Sequence, residues 1–345
     1  MRAAALLGPG SVARSVATFQ RLTGAEWTSL IEQADVAVIF GGDGTVHRHL
    51  SELVQLEIPV LVVPCGSGND FARALKIRSV KDAARAWSKF AAGGKAQVID
   101  LGVITPKGLK ASGQNGCSDE TVPFPPMPSH AVRRTQSMGN NKADLFLDAG
   151  RRSKESVAVL PREDLSTVPG AYSTPQPSRH YFCCIAGVGI DAEIARRANA
   201  LPKWIRARGG YALSAPGQFL RFVPFPMRVS SNGDDSAPFH PTILVAVANA
   251  PAYGGGMKIA PHADLDDGKL DVCIVRGMNP FKLFCLFPTV YFGRHLGFEE
   301  VEYGQTECLR IETELPLDVY ADGEYVCKTP VGFNVVRGAL NVLTP

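Results

Sequence analysis

Apolar residues over the first hundred positions come in short unbroken runs that alternate with amphipathic stretches. "VAVIF" (36–40) passes through "GGDGT" into "VHRHLSELV", where Val46, Leu50, Leu53 and Val54 recur at helical spacing. "IPVLVV" (58–63) passes through "PCGSGND" into "FARAL", and "AQVIDLGVI" (96–104) follows the helical pattern of "VKDAARAWSKFAA". Short apolar strands alternating with helices predict a doubly wound α/β domain with a mainly parallel sheet over residues 1–104.

The pattern dissolves from Thr105 to Ser178, where "SGQNGCSDETVPFPPMPSHAVRRTQSMGNNK" is rich in Pro, Ser, Gly and Asn. Such a composition buries too little surface to offset the entropy of ordering, so 105–178 reads as a disordered, low-complexity insertion. From residue 179 to 329 the texture is β-rich, with "HYFCCIAGVGI", "TILVAVANA", "KLDVCIV" and "LPLDVYADGEYV" read as strands separated by turns such as "DDGK". This predicts an antiparallel β-sandwich, interrupted by the helical "DAEIARRANAL" and "NPFKLFCLFPTVYFGRHL". The segment 330–345 is a candidate to complete the first domain. An interdomain cleft is the expected ligand site.

Composition narrows the function classes. Of the 345 residues, 45% are hydrophobic and 20% charged, ordinary for a globular protein, and a net charge of +3 lacks the basic excess of nucleic-acid binders. The eight cysteines form no CxxC, and the adjacent Cys183 and Cys184 lack metal-ligand spacing. Buried, reduced thiols in a cytoplasmic protein are the expectation. "FKLFCLFPTVYFG" is broken by Lys282 and Pro288, so no transmembrane segment is predicted. Its Phe281, Phe284, Phe287, Tyr291 and Phe292 fit core packing better than an interfacial membrane anchor. His49, His180, His240, His262 and His295 show no ligand spacing.

The chemistry gathers in the glycine loops. Two tight turns, each at a strand end and before a helix, present backbone N–H groups suited to phosphate without a Walker lysine. A carboxylate inside such a loop repels phosphate unless a divalent cation lies between them, which gives Asp43 a role in holding Mg²⁺. The bland alternative is a turn that needs glycine for its backbone angles.

"GGDGT" (41–45) followed by "PCGSGNDFARAL" (64–75), then "GVGIDAE" (187–193), "NAPAYGGGMKIAPHADLDDGKLDV" (249–272) and "DGE" (322–324), resembles the diacylglycerol kinase catalytic-domain family of lipid kinases. The resemblance covers residues 36–104 and 179–345 in family order. It implies an NAD kinase-like α/β fold joined to the sandwich, with ATP-dependent phosphoryl transfer to a lipid hydroxyl in the cleft. ATP phosphates fall to Gly41, Gly42, Asp43, Gly44 and Thr45, and to the second loop of Gly66, Ser67, Gly68 and Asn69. Asp43, Asp70 and Asp100 fall to the catalytic Mg²⁺ network. Asp322 is implied as general base with Glu324 as partner, and Asp264 and Asp267 as ligands of a structural cation, a bare turn being the equal alternative. The implied partners are ATP and a diacylglycerol-like or sphingoid lipid at a membrane surface, with no nucleic acid; a homodimer is compatible. An NAD kinase-like phosphotransferase and a degenerate nucleotide- or lipid-binding sensor are the rival readings. The chain departs from the family pattern at His47 and Arg48, where Asn-Glu is usual. With only 40 residues before Gly41, "AALLGPGSVA" reads as the remnant of an opening strand and turn.

Overall fold

The computed structural model describes residues 1–9, 12–106, 180–200, 222–231 and 237–345. The predicted insertion lies outside the described residues, apart from Thr105 and Pro106, which close a strand.

The chain opens with β1 (Arg2–Leu7), α1 (Ala13–Thr23), β2 (Glu26–Thr28) and β3 (Val36–Gly41). The expected remnant is therefore a complete strand and helix. Ala3, Ala4, Ala5 and Leu6 are buried in β1, which pairs parallel with β3 from Ala3↔Val36 to Leu7↔Phe40. α2 (Asp43–Leu56), β4 (Val60–Pro64), α3 (Asp70–Ala74), α4 (Val80–Ala91) and β5 (Gln97–Pro106) follow. β3 is buried along its whole length, as a parallel strand covered by helices must be. On one face, Phe19 of α1 meets Phe40 and Trp87 edge-on at 5.6 and 5.8 Å. α2 turns Val46, Leu50, Leu53 and Val54 inward, as its spacing predicts.

The second part comprises β6 (His180–Phe182), β7 (Ile185–Gly189), α5 (Ile190–Ala200), β8 (Phe225–Ser231), β9 (His240–Ala248) and β10 (Leu270–Arg276). It continues with α6 (Pro280–Val290), β11 (Val301–Thr306), β12 (Cys308–Thr313), β13 (Asp318–Ala321), β14 (Glu324–Lys328) and β15 (Val331–Val342). "HYFCCIAGVGI" is two strands, because the chain bends at Cys183 and Cys184. The pairs among β7 to β14 are antiparallel. An apolar core of Phe182, Val245, Leu309 and Phe333 lies within this part. β15 pairs antiparallel with β5 and β12 and touches β4 in parallel at Val342↔Val60. Hydrogen bonding thus runs unbroken in the order β14-β13-β7-β9-β8-β12-β15-β4-β3-β1-β2. The two parts share one sheet path, and the C-terminal strand is the joint.

The aromatic cluster under the parallel sheet sets the stability of the first part. Replacing Phe19, fully buried at its centre, with Ala should cost about 3–5 kcal/mol in equilibrium urea unfolding. A loss below about 1 kcal/mol would mean the cluster does not pack as described.

Candidate active site

The turns that follow β1, β3 and β4 meet at the C-terminal edge of the parallel strands, where open α/β sheets bind ligands. Gly41 and Gly42 carry β3 into α2. The turn closes through Thr45 and Val46 N–H donating to the Gly42 carbonyl at 2.9 and 3.2 Å. The second loop closes on itself: Asn69, left-handed at φ 55°, accepts from Gly66 N–H at 2.8 Å and donates to the Gly66 carbonyl at 2.6 Å. The loops lie backbone against backbone, since a Cβ on Gly66 would stand 2.6 Å from Gly42 Cα. A Cβ on Gly68 would fall 2.7 Å from Asp43 Oδ2. Ser67 is exposed beside them.

Asp43 is turned toward the second loop. Its Oδ2 accepts from Asp70 N–H at 3.1 Å and its Oδ1 from Phe71 N–H at 3.0 Å, so the carboxylate caps α3. Burial first, and then the charge of Asp70, push its pKa up to about 6. Asp70 is itself buried; its Oδ2 accepts from Gly255 N–H at 2.8 Å and its Oδ1 pairs with Arg73. A relay of carboxylates therefore runs from the first loop through the second to the Gly254–Gly256 turn of the β-rich part. Two adjacent acidic groups with hard oxygen donors, one kept from ionising freely by burial and then by its neighbour, match the donor chemistry of Mg²⁺.

Asp100 stands apart from this pair. Its Oδ2 accepts from Gly268 N–H at 2.6 Å and its Oδ1 from Gly338 N–H at 2.7 Å, both glycines at positive φ. It braces two turns, and the expected three-carboxylate set is not gathered among the described residues. Asp264 and Asp267 are both exposed. Asp267 accepts from Lys269 N–H at 3.0 Å within the turn and from Gln305 Nε2 at 3.0 Å, and Asp264 joins neither bond, an arrangement that suits a turn.

The β13–β14 hairpin closes over the first loop through Asp322 and Gly323, both at positive φ. Glu324 reaches Gly44, where a Cβ would stand 3.0 Å from Glu324 Oε1. Asp322 has no exposed side-chain surface. Its Oδ1 accepts from Cys184 and Ile185 N–H at 2.8 and 3.2 Å, its Oδ2 from Cys183 N–H at 2.9 Å, and His47 Nδ1 lies 3.2 Å from Oδ2. Burial pulls its pKa up, but the His47 bond and charge, with the amides of Cys183 and Cys184, hold it below the ordinary value. The Cys183 and Cys184 sulfurs and an Asp322 oxygen lie within 4.8 Å of one another, and burial pushes the Cys183 thiol up to about 12, keeping it neutral. His47 enters the site though its sequence signal was only a departure from a pattern, whereas Arg48 is exposed.

Behind the Gly254–Gly256 turn lies an apolar pocket lined by Ile194, Met257, Ile259, Leu283, Leu286 and Phe287. One carboxyl, Asp191, reaches it. Gly187 must be bare, because a Cβ there would lie 1.6 Å from Asp191 Oδ2; burial pushes Asp191 up to about 7.

Residues 9–104 match the diacylglycerol kinase catalytic domain, and residues 184–344 match the YegS C-terminal NAD kinase beta sandwich-like domain. The chain is 30% identical over 300 residues to YtlR of Bacillus subtilis, whose name designates a lipid kinase, covering 85% of this chain and 75% of that protein. It is 27% identical over 312 residues to a diacylglycerol kinase of Mycobacterium tuberculosis, covering 90% and 77%. A diacylglycerol kinase structure from Bacillus anthracis shares the fold, with a TM-score of 0.55 at 15% identity over 100% of this chain and 97% of that one.

Asp43 supplies a pH test of the acidic pair. Its pKa of about 6 exceeds the reference 3.8, so its contribution to stability is fullest below about pH 4 and falls as pH rises to about 6. Above that, ionised Asp43 beside Asp70 costs stability, which a cation bound there would offset. Millimolar Mg²⁺ should raise Tm at about pH 7.5, raise it less at about pH 5, and have no effect on Asp43→Ala. An equal Mg²⁺ shift in that variant would place the cation elsewhere.

Proposed function

The chain belongs to the diacylglycerol kinase family of lipid kinases, and on that premise we propose that it transfers the γ-phosphate of ATP to a hydroxyl of a diacylglycerol-like or sphingoid lipid. The observation that carries the acceptor class is the apolar pocket directly behind the turn whose Gly255 N–H holds Asp70. A pocket with aliphatic and aromatic walls and a single carboxyl suits an acyl or sphingoid chain whose polar end points at the glycine loops.

In this reading the first glycine loop and the α2 N-terminus receive ATP phosphates, with Ser67 and the second loop as the neighbouring wall. Asp43 and Asp70 would hold Mg²⁺, which neutralises phosphate charge when bound. Phosphoryl transfer is mostly positioning and charge neutralisation, so the protein's task is to bring hydroxyl and phosphate into line and accept one proton. The Asp322 hairpin, closed over the first loop with Glu324 beside Gly44, is the proton-accepting wall.

Access from a bilayer follows from α6. Leu283, Leu286 and Phe287 line the pocket, while Phe281 (76% exposed), Phe284 (48%) and Phe292 just beyond the helix (74%) face outward. The aromatic stripe is thus split between pocket and surface. Apart from Lys282, which pairs with Glu300, the helix is apolar on its outer side as well, which suits a lipid surface, and the nearby exposed Lys258 and Arg294 complement anionic head groups. Among the described residues no helix is long and apolar enough to cross a membrane.

The test is transfer of labelled γ-phosphate from Mg·ATP to diacylglycerol, sphingosine and NAD, with Asp43→Ala as blank. Label should appear in one lipid and be absent in the blank. The variant Phe281→Ser/Phe284→Ser/Phe292→Ser should lose at least about tenfold on anionic vesicles while keeping its rate in detergent micelles. Label in NAD alone would overturn the acceptor class, and an unchanged vesicle rate would overturn the docking face.

A further inference from the structure

Cys183 and Cys184 fall in the bend between β6 and β7, where the chain leaves the extended conformation. Neighbouring side chains of an extended strand point to opposite faces. The bend instead brings both sulfurs and an Asp322 carboxylate oxygen within 4.8 Å of one another. The spacing of the two cysteines gives no sign of this, because the third donor arrives from the β13–β14 hairpin. All three groups are enclosed: Cys183 and Cys184 are 0% and 2% exposed, and the Asp322 side chain has no exposed surface.

The separations suit a soft cation. The Cys183 thiol donates to Asp322 Oδ2 with Sγ at 3.5 Å. A tetrahedral zinc ion with sulfur at about 2.3 Å and oxygen at about 2.0 Å holds those two donors about 3.5 Å apart, and two sulfurs about 3.8 Å apart. A metal can therefore replace the thiol proton with little movement of the donors. Thiolates favour Zn²⁺ and oxygen donors favour Mg²⁺, so this cluster and the Asp43–Asp70 pair select different cations. We propose that Cys183, Cys184 and Asp322 bind one Zn²⁺, and that the bound ion inhibits phosphoryl transfer by occupying the hairpin carboxylate. Water fills the fourth position, as in other sites with three protein ligands. The metal site stands on the cluster itself; its inhibitory effect rests on the lipid-kinase reading of the cleft.

The surroundings keep the cluster ready for a cation. Burial pushes the Cys183 thiol up to about 12, and the hydrogen bond with Cys183, then burial, raises Cys184 well above the ordinary thiol value. The charges of Asp322 and Asp43 act on both thiols in the same direction. Without metal both sulfurs are neutral and the carboxylate is free to act. A dication reverses the effect of those charges. Zn²⁺ enters, two thiol protons leave to solvent, and the net charge of the cluster is unchanged. Asp322 Oδ1 keeps the amides of Cys184 and Ile185 at 2.8 and 3.2 Å, so the carboxylate stays anchored while Oδ2 meets the metal.

Zinc K-edge X-ray absorption on the reduced, zinc-loaded full chain reads the ligands directly. Two sulfurs at about 2.3 Å with lighter donors at about 2.0 Å are expected, and that pair of sulfurs should be lost in Cys183→Ala and in Cys184→Ala. A shell of nitrogen and oxygen alone overturns the proposal. The activity arm compares each protein's own transfer rate from Mg·ATP to the lipid with and without free Zn²⁺ set by a metal buffer. Wild type should lose at least about tenfold, restored by chelation, with KM for ATP unchanged. Each cysteine variant should resist the added ion. Equal inhibition in the variants would put the inhibiting zinc on the Asp43–Asp70 pair and overturn the proposal. Should neither variant fold, the sulfur count in wild type decides. No transfer by zinc-free wild type would be a failure of the kinase reading, and the sulfur count would still decide the metal site.

Discussion

Gly42 and Gly66 touch backbone to backbone, and there is no room for a Cβ on either. That contact fixes how the turn after β3 meets the turn after β4, and the rest of the site depends on it. It sets Asp43 against the first amides of α3 and places Asp70 against Gly255. A single close approach thereby orders two loops and ties them to the β-rich part. The cost is two ionisable carboxyls held side by side, an arrangement that a bound cation would relieve.

The second constraint comes from the opposite wall. The bend at Cys183 and Cys184 turns consecutive amides toward one carboxylate, so Asp322 is held by backbone donors where an ordinary strand would point them at neighbours. With the carboxylate fixed, His47 has a defined partner, and the hairpin sits over Gly44 through Glu324. The two walls belong to different parts of the chain, yet β15 pairs with strands of both. Their relative placement is therefore carried by main-chain hydrogen bonds.

Much of this was legible in the residues. The periodicity of α2 and the glycine-aspartate turns follow from local rules of spacing and backbone freedom, as does the alternation of strand and helix. What the sequence leaves hidden depends on distant partners. Asp100 sits in "VIDLG" with the look of a site carboxylate, but its oxygens go to Gly268 and Gly338, more than 160 residues away in sequence. The opening strand is hard to read because the three alanines of β1 signal a strand only weakly until β3 pairs with them. His47 gave no positive signal, since its meaning comes from Asp322, 275 residues later. The faces of α6 are also hidden, because a helix apolar on both sides of its one lysine does not declare which side is covered.

The central claim is that the glycine loops and the Asp322 hairpin are two walls of one phosphoryl-transfer site. The most direct measurement is a crystal structure with Mg²⁺ and a non-hydrolysable ATP analogue. The account predicts the γ-phosphate at the N-terminus of α2, between Gly42–Gly44 and the hairpin, with the metal on Asp43 and Asp70. A nucleotide bound away from the glycine loops, or a γ-phosphate turned away from His47 and Asp322, would contradict it.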